Sequence, residues 1–209
     1  MRILSLIFIL WMISAKGLYA QKIQFGAEAG ANLSGAIVKD PGGNPSGTPL
    51  PGFQLGGFAG LGLPAKNLSV NARLLFSYEG YKADVYDTKA TIHVSFLKLP
   101  INLVYQPGGA SGKWFAGLGP YLAAGIGGHY VSQGNKVSIH FGSNADKDDL
   151  KRLDIGADVM GGYQATDKIL VRAAFDIGII NYLTPGSTAD ASAHTLSFGI
   201  TAAYLLSEK

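Results

Sequence analysis

The sequence places His93 two residues before Ser95. In an extended chain such residues point the same way, so the imidazole could take the proton of the Ser95 hydroxyl and make it a nucleophile. That chemistry needs a carboxylate to orient the imidazole. Glu79, on the preceding strand, falls on the opposite face by parity. The four histidines, His93, His129, His140 and His194, show no ligand spacing such as H-x₃-H, so no metal is expected. The acidic run Asp146–Asp149 lacks the glycine and terminal glutamate of a calcium loop and reads as a solvated loop. Gly117-Leu118-Gly119 lies inside an alternating strand instead of opening a helix, where glycine serves close packing and not phosphate binding. With no cysteine, thiolate chemistry and disulfides are excluded. No cofactor is expected.

A second set of ionisable residues has a different character. Glu28, Arg73, Glu79, Lys98, Asp154, Asp158, Arg172 and Asp176 alternate with apolar residues along their segments. Five acids and three bases sharing one side of several strands would pair with each other in a narrow interior, a structural network and not a catalytic one. Phe58, Phe96, Tyr121 and Met160 fall on the same side and would help fill that interior.

Eight alternating runs position these residues. The first starts at Ile23, the second covers 53–63, and the third, from Leu68 to Tyr78, alternates most cleanly. The fourth and fifth flank a Gly/Pro-rich turn at 107–112: Leu97, Leu99, Ile101, Leu103 and Tyr105 on one, Trp114, Ala116, Leu118, Leu122, Ala124 and Ile126 on the other. The last three occupy about 153–164, 169–179 and 195–206. Period-two alternation is the signature of a strand with one apolar face. Each run is about ten residues, enough for a tilted strand to cross a bilayer. Long connections are expected at 35–52, 82–92, 129–152 and 183–193, and short turns at 64–67, 107–112 and 165–168. Long and short connections alternate, as in an up-and-down barrel with both termini in the periplasm. The fold class is therefore all-β: an eight-stranded antiparallel up-and-down transmembrane β-barrel.

The apolar faces are expected to meet lipid. Charged residues make up 15 % of the chain, against about 25–35 % for a soluble surface. The polar faces carry Gly, Ser, Asn and Thr where a soluble barrel would display lysine and glutamate. Phe25, Tyr105, Trp114, Tyr163 and Tyr204 gather on the apolar face near the short-turn rim, where a periplasmic aromatic girdle belongs. Residues 1–20 read as a signal peptide, with Arg2 before the apolar run Ile3 to Ile13 and a small-residue exit at Ala20. Residues 21–209 form the barrel domain. Without Arg2 and Lys16 the net charge falls from +3 to about +1, and no basic cluster points to nucleic acid.

Gly30-Ala31-Asn32-Leu33-Ser34, Gly52-Phe53 with Gly56, Leu74-Leu75-Phe76-Ser77 with Gly80, Leu97-Lys98-Leu99-Pro100-Ile101 with Tyr105, and Gly119-Pro120-Tyr121-Leu122 occur in this order along the chain. In these pieces it resembles the PorT-like group of small outer-membrane β-barrel proteins, related in architecture to OmpX- and OmpA-type barrels. The chain departs from the usual terminal aromatic, since five residues follow Tyr204. The resemblance implies a monomeric barrel in the outer membrane of a Gram-negative bacterium, in contact with outer-membrane lipid and without enzymatic activity. Some members of the group are implicated in protein secretion or gliding-type assemblies. A cell-envelope protein partner would be met through loops 35–52 and 129–152. Two alternatives are a narrow pore for small solutes and an enzyme. Lipid A deacylases carry a His-x-Ser pair on the barrel exterior, but the asparagine that follows their serine is Phe96 here.

Overall fold

A computed structural model describes residues 23–39, 47–65, 67–85, 88–108, 113–132, 134–142, 150–182 and 192–208. The expected leader at residues 1–20 and the acidic run at 146–149 lie outside them. The strands are β1 (Ile23–Lys39), β2 (Thr48–Gly62), β3 (Leu68–Val85), β4 (Thr88–Tyr105), β5 (Trp114–Ser132), β6 (Asn135–Ser138), β7 (Leu153–Gln164), β8 (Ile169–Gly178) and β9 (Ser192–Glu208). Every strand pairs antiparallel with its neighbours. The pairings β1–β9, β4–β5 and β5–β7 close a ring of eight strands, while β6 pairs with the far end of β5 alone. Closure leaves no open edge around the main wall, which is the condition for strands to cross lipid. No helix among the described residues is long and apolar enough to span a membrane.

The strands run further than alternation alone suggests. The span 35–52, expected as a loop, is mostly strand, because β1 continues to Lys39 and β2 begins at Thr48. Its prolines disguised this. Pro49 sits at a register shift between Pro49 and Phe53, an irregularity that tolerates a residue with no backbone N–H. The span 82–92 is likewise taken up by β3, reaching Val85, and β4, starting at Thr88. In the span 129–152, β5 runs to Ser132 and turns back into β6 through Gly134, whose φ of 82° suits glycine. The wall is therefore taller at the end opposite the termini.

The short-turn end is tighter. Asn67 takes a left-handed conformation (φ 66°), and its carbonyl accepts the Gln106 N–H, tying two neighbouring turns together. At the third turn the Thr166 hydroxyl accepts the N–H groups of Lys168 and Ile169.

Burial runs opposite to a soluble protein. Leu118 is 68 % exposed and Leu206 65 %, while Arg73 is 1 % exposed and Asp158 0 %. Outward positions of β4 and β5 read Leu97, Leu99, Ile101, Leu103, Leu118 and Leu122, all exposed. An apolar belt of this extent is unstable against water and stable against lipid.

Candidate functional site

The lumen is organised in three levels. The middle level holds the charges, and β1, β3, β4, β7 and β8 supply them at inward positions of the alternation. Arg73 on β3 places Nη2 2.7 Å from Asp158 Oδ2 on β7 and Nη1 3.9 Å from Glu28 Oε1 on β1. Arg172 on β8 pairs with the other oxygen of Glu28. Lys98 on β4 lies 2.5 Å from Glu79 and 3.0 Å from Asp176. Asp158 and Asp176 are directly opposite each other on β7 and β8 and within side-chain hydrogen-bond reach, and each also meets a cation from another strand, Arg73 on Asp158 and Lys98 on Asp176. Neutral donors complete the cluster. Asn102 donates to Asp158, Ser77 donates to Glu79, and Asn32 donates to Ser77. The cations also lie over rings: Lys98 Nζ is 5.5 Å from the Tyr121 centroid, and the Arg172 guanidinium 5.2 Å from that of Phe58.

Asp154 belongs to the same buried interior through hydroxyl partners: its Oδ2 accepts hydrogen bonds from the Tyr121 hydroxyl at 2.8 Å and the Thr195 hydroxyl at 2.6 Å. It stands two inward positions beyond Asp158, toward the tall end, where the Tyr121 and Thr195 hydroxyls reach it.

The tall end is closed by apolar side chains. Ile139, Leu150 and Tyr182, from the connections that follow β6 and β8, pack against Val94, Phe96, Tyr121 and Ala123 of the wall. The Phe141 ring occupies the space at Gly125, where an added Cβ would come within 2.6 Å of it. The span 129–152 read as a polar loop because these apolar residues are widely spaced and share no period. Phe115 also faces the lumen: it follows Trp114 directly, so alternation turns it inward as Trp114 turns outward.

At the short-turn end the lumen opens into a cavity of about 310 Å³, walled by Phe58, Val104, Phe115, Met160 and Leu170. Phe58, Phe96, Tyr121 and Met160 are all buried.

On the outside, Phe25, Tyr105, Trp114 and Tyr204 are exposed at the short-turn end. Tyr163 is partly covered by Trp114, their ring centroids 4.7 Å apart. A second aromatic row lies toward the tall end, which alternation within single strands did not reveal. Phe53 packs on Phe76 and Tyr78, Tyr78 stacks on His93, and His93 lies against His129, at 5.2–5.9 Å. Four strands contribute to it, so it exists only through register. Tyr105 and His93 stand twelve residues apart on β4, which is about 30 Å of height for a strand tilted roughly 40°. This matches the hydrocarbon thickness of a bilayer.

His93 is thus part of an aromatic row. Its cross-strand neighbours are Gly80 and His129, and those of Ser95 are Tyr78 and Gly127. None of the four is a carboxylate. Among the described residues there is also no cluster of three metal-ligating side chains.

Residues 19–184 match the family model of the outer membrane protein beta-barrel domain. The chain belongs to that family. As a member of it, with an apolar belt of bilayer height, this barrel resides in the outer membrane of a Gram-negative bacterium. No curated protein matches the chain. Among solved structures, Neisserial surface protein A aligns with a TM-score of 0.50 at 12 % identity, covering 86 % of this chain and 96 % of that one. The attachment invasion locus protein Ail of Yersinia pestis aligns at 0.48 and 10 % identity, covering 88 % and 99 %. OprG of Pseudomonas aeruginosa aligns at 0.46 and 14 % identity, covering 89 % and 95 %. At such identities the first of these bears on the fold alone, an outer-membrane barrel of similar extent.

Proposed function

We propose that this chain is a non-conducting, non-enzymatic outer-membrane barrel that presents its tall end to a cell-envelope protein partner, in support of a secretion or surface assembly. The observation that carries this reading is double closure. An apolar plug at the tall end and a charge cluster below it both cross the lumen. An eight-stranded barrel has room for side chains and little else, and here that room is filled at two levels. What is left for interaction is the outer wall and the rim. Among the described residues the rim is built from the extensions of β1 to β5 together with β6. The orientation follows from short turns and termini in the periplasm and the tall end outside.

The PorT-like resemblance supports the secretion or assembly role, and the charge cluster is assigned a structural role. The outward aromatics Phe25, Tyr105, Trp114, Tyr163 and Tyr204 are assigned to the periplasmic girdle, with the Phe53–His129 row as its outer counterpart. The barrel acts as a monomer.

The test has two parts. In planar bilayers the purified protein gives no discrete conductance steps, and steps would replace this reading with a pore. A tagged chain cross-linked in outer membranes retains one stoichiometric protein, identified by mass spectrometry. That protein is lost when residues 40–46 or 143–149 are shortened. Recovery of abundant membrane proteins in the proportions seen with an unrelated barrel would remove the partner.

A further inference from the structure

His93 and Ser95 stand on the outer wall without a carboxylate beside them, yet the surface around them is not plain apolar strand. The registers of β3, β4, β5 and β6 line their residues up in rows across this face. One row is Gly80, His93, His129 and Ser138. The row above it is Lys82, Thr91, Val131 and Lys136, with both lysines exposed. The row below begins with Tyr78, Ser95 and Gly127. An added Cβ at Gly127 would have nothing within 4 Å, so a shallow channel runs down the wall beneath the two imidazoles. Ile126 borders it as the extra residue at a register shift, 57 % exposed.

Height and charge select the occupant. The His93 row lies at the outer edge of the apolar belt. The lysine row is two residues further, about 5 Å higher for a strand tilted roughly 40°, at the level of lipid headgroups. Lys82 and Lys136 are three strand spacings apart, about 14 Å, and their flexible stems can converge over the imidazoles between them. Lys136 acts electrostatically on both His93 and His129. Glu79, the one acid with a described side chain on these four strands, points into the lumen and pairs with Lys98. One step above Lys82, Asp84 is opposite Lys89 in register. The patch is therefore cationic, sits above an apolar channel, and suits an anion that carries acyl chains. We propose that the outer face of β3–β6 at the tall end is a binding site for the phosphorylated headgroup of lipid A, the glycolipid of the outer leaflet. Lys82 and Lys136 hold phosphate, His93 and His129 supply ring faces and N–H donors beneath it, and an acyl chain follows the channel past Gly127. The assignment rests on the tall end facing outside and is independent of any protein partner.

The test titrates bisphosphorylated lipid A into phosphatidylcholine nanodiscs that hold the protein with ¹⁵N-labelled histidine. The His93 and His129 imidazole resonances, assigned by their loss in His93→Gln and His129→Gln, shift saturably in the wild-type protein. His194, on β9, does not shift. At about fivefold per lysine beside an anionic headgroup, Lys82→Gln combined with Lys136→Gln raises the midpoint about thirtyfold. Lipid A stripped of both phosphates shows a comparable loss with the wild-type protein. Lys168→Gln, exposed at the third short turn, leaves the midpoint unchanged. Phosphatidylglycerol, an anion without the sugar, requires at least about tenfold more lipid for the same shift. No saturable shift, an unchanged midpoint in the double lysine variant, or an equal response to the dephosphorylated lipid overturns the proposal. An equal response to phosphatidylglycerol overturns the assignment to lipid A.

Discussion

Arg73 and Asp158 meet at 2.7 Å across the lumen, from β3 and β7, which stand three places apart in the ring. The contact joins opposite walls, and the same arginine reaches Glu28 on β1. Neither partner has access to water. A buried charge left alone is costly, so the value of this pair shows when one member is removed.

Arg73→Met leaves Asp158 and Glu28 short of a cation. The folded barrel should lose about 3–5 kcal/mol in urea titrations in lipid vesicles. Arg73→Met combined with Asp158→Asn should recover part of that loss, because the orphaned charge is gone. An unchanged midpoint in the single variant would mean that the cluster contributes nothing.

Glu28 binds Arg73 through one oxygen and Arg172 through the other. The two arginines are therefore coupled through a shared partner, and their effects should not add. In a double-mutant cycle, Arg73→Met with Arg172→Met is expected to depart from the sum of the singles by about 0.5–3 kcal/mol. Additivity within a few tenths would break the link. Lys98→Met, which removes the cation from Glu79 and Asp176, should lower the temperature at which the folded band converts on a gel.

Tyr182 is 3 % exposed and packs on Phe96 at 5.8 Å. Tyr182→Ala empties part of the apolar plug and should cost about 3–5 kcal/mol, as for other large buried aromatics. It should still produce no conductance, because the charge cluster closes the lumen below it. Current steps from this variant alone would show that the plug is the sole barrier.

Trp114 is 69 % exposed, packs on Tyr163 with the two rings tilted, and is the only tryptophan beyond residue 20. Indole groups at a girdle sit at the headgroup boundary. Lipids brominated at different depths should quench its fluorescence most when the bromine is near the headgroup. Maximal quenching at the bilayer centre would falsify the girdle position.

Much of this barrel is legible in one dimension because a strand's side-chain period is two. Leu97, Lys98 and Leu99 already say out, in and out. A low-charge polar face with Arg73, Lys98 and Arg172 isolated on it says that the polar side is the inside. The strand ends were less legible. Gly and Pro between 35 and 52 suppress the strand signal locally, while the hydrogen bonds that extend β1 come from β9, some 160 residues away.

The sequence by itself determined the eight main runs, the two faces of each and the ionisable residues that share the inward side, since each depends on neighbours two residues apart. Only the tertiary structure decided which partner each charge takes, that Asp154 is held by hydroxyls, that Phe53, Tyr78, His93 and His129 form one row, and that Ile139, Leu150 and Tyr182 turn inward as a plug. The physical reason is register. Sliding one strand past the next leaves every local pattern intact at even steps, yet changes every cross-lumen distance.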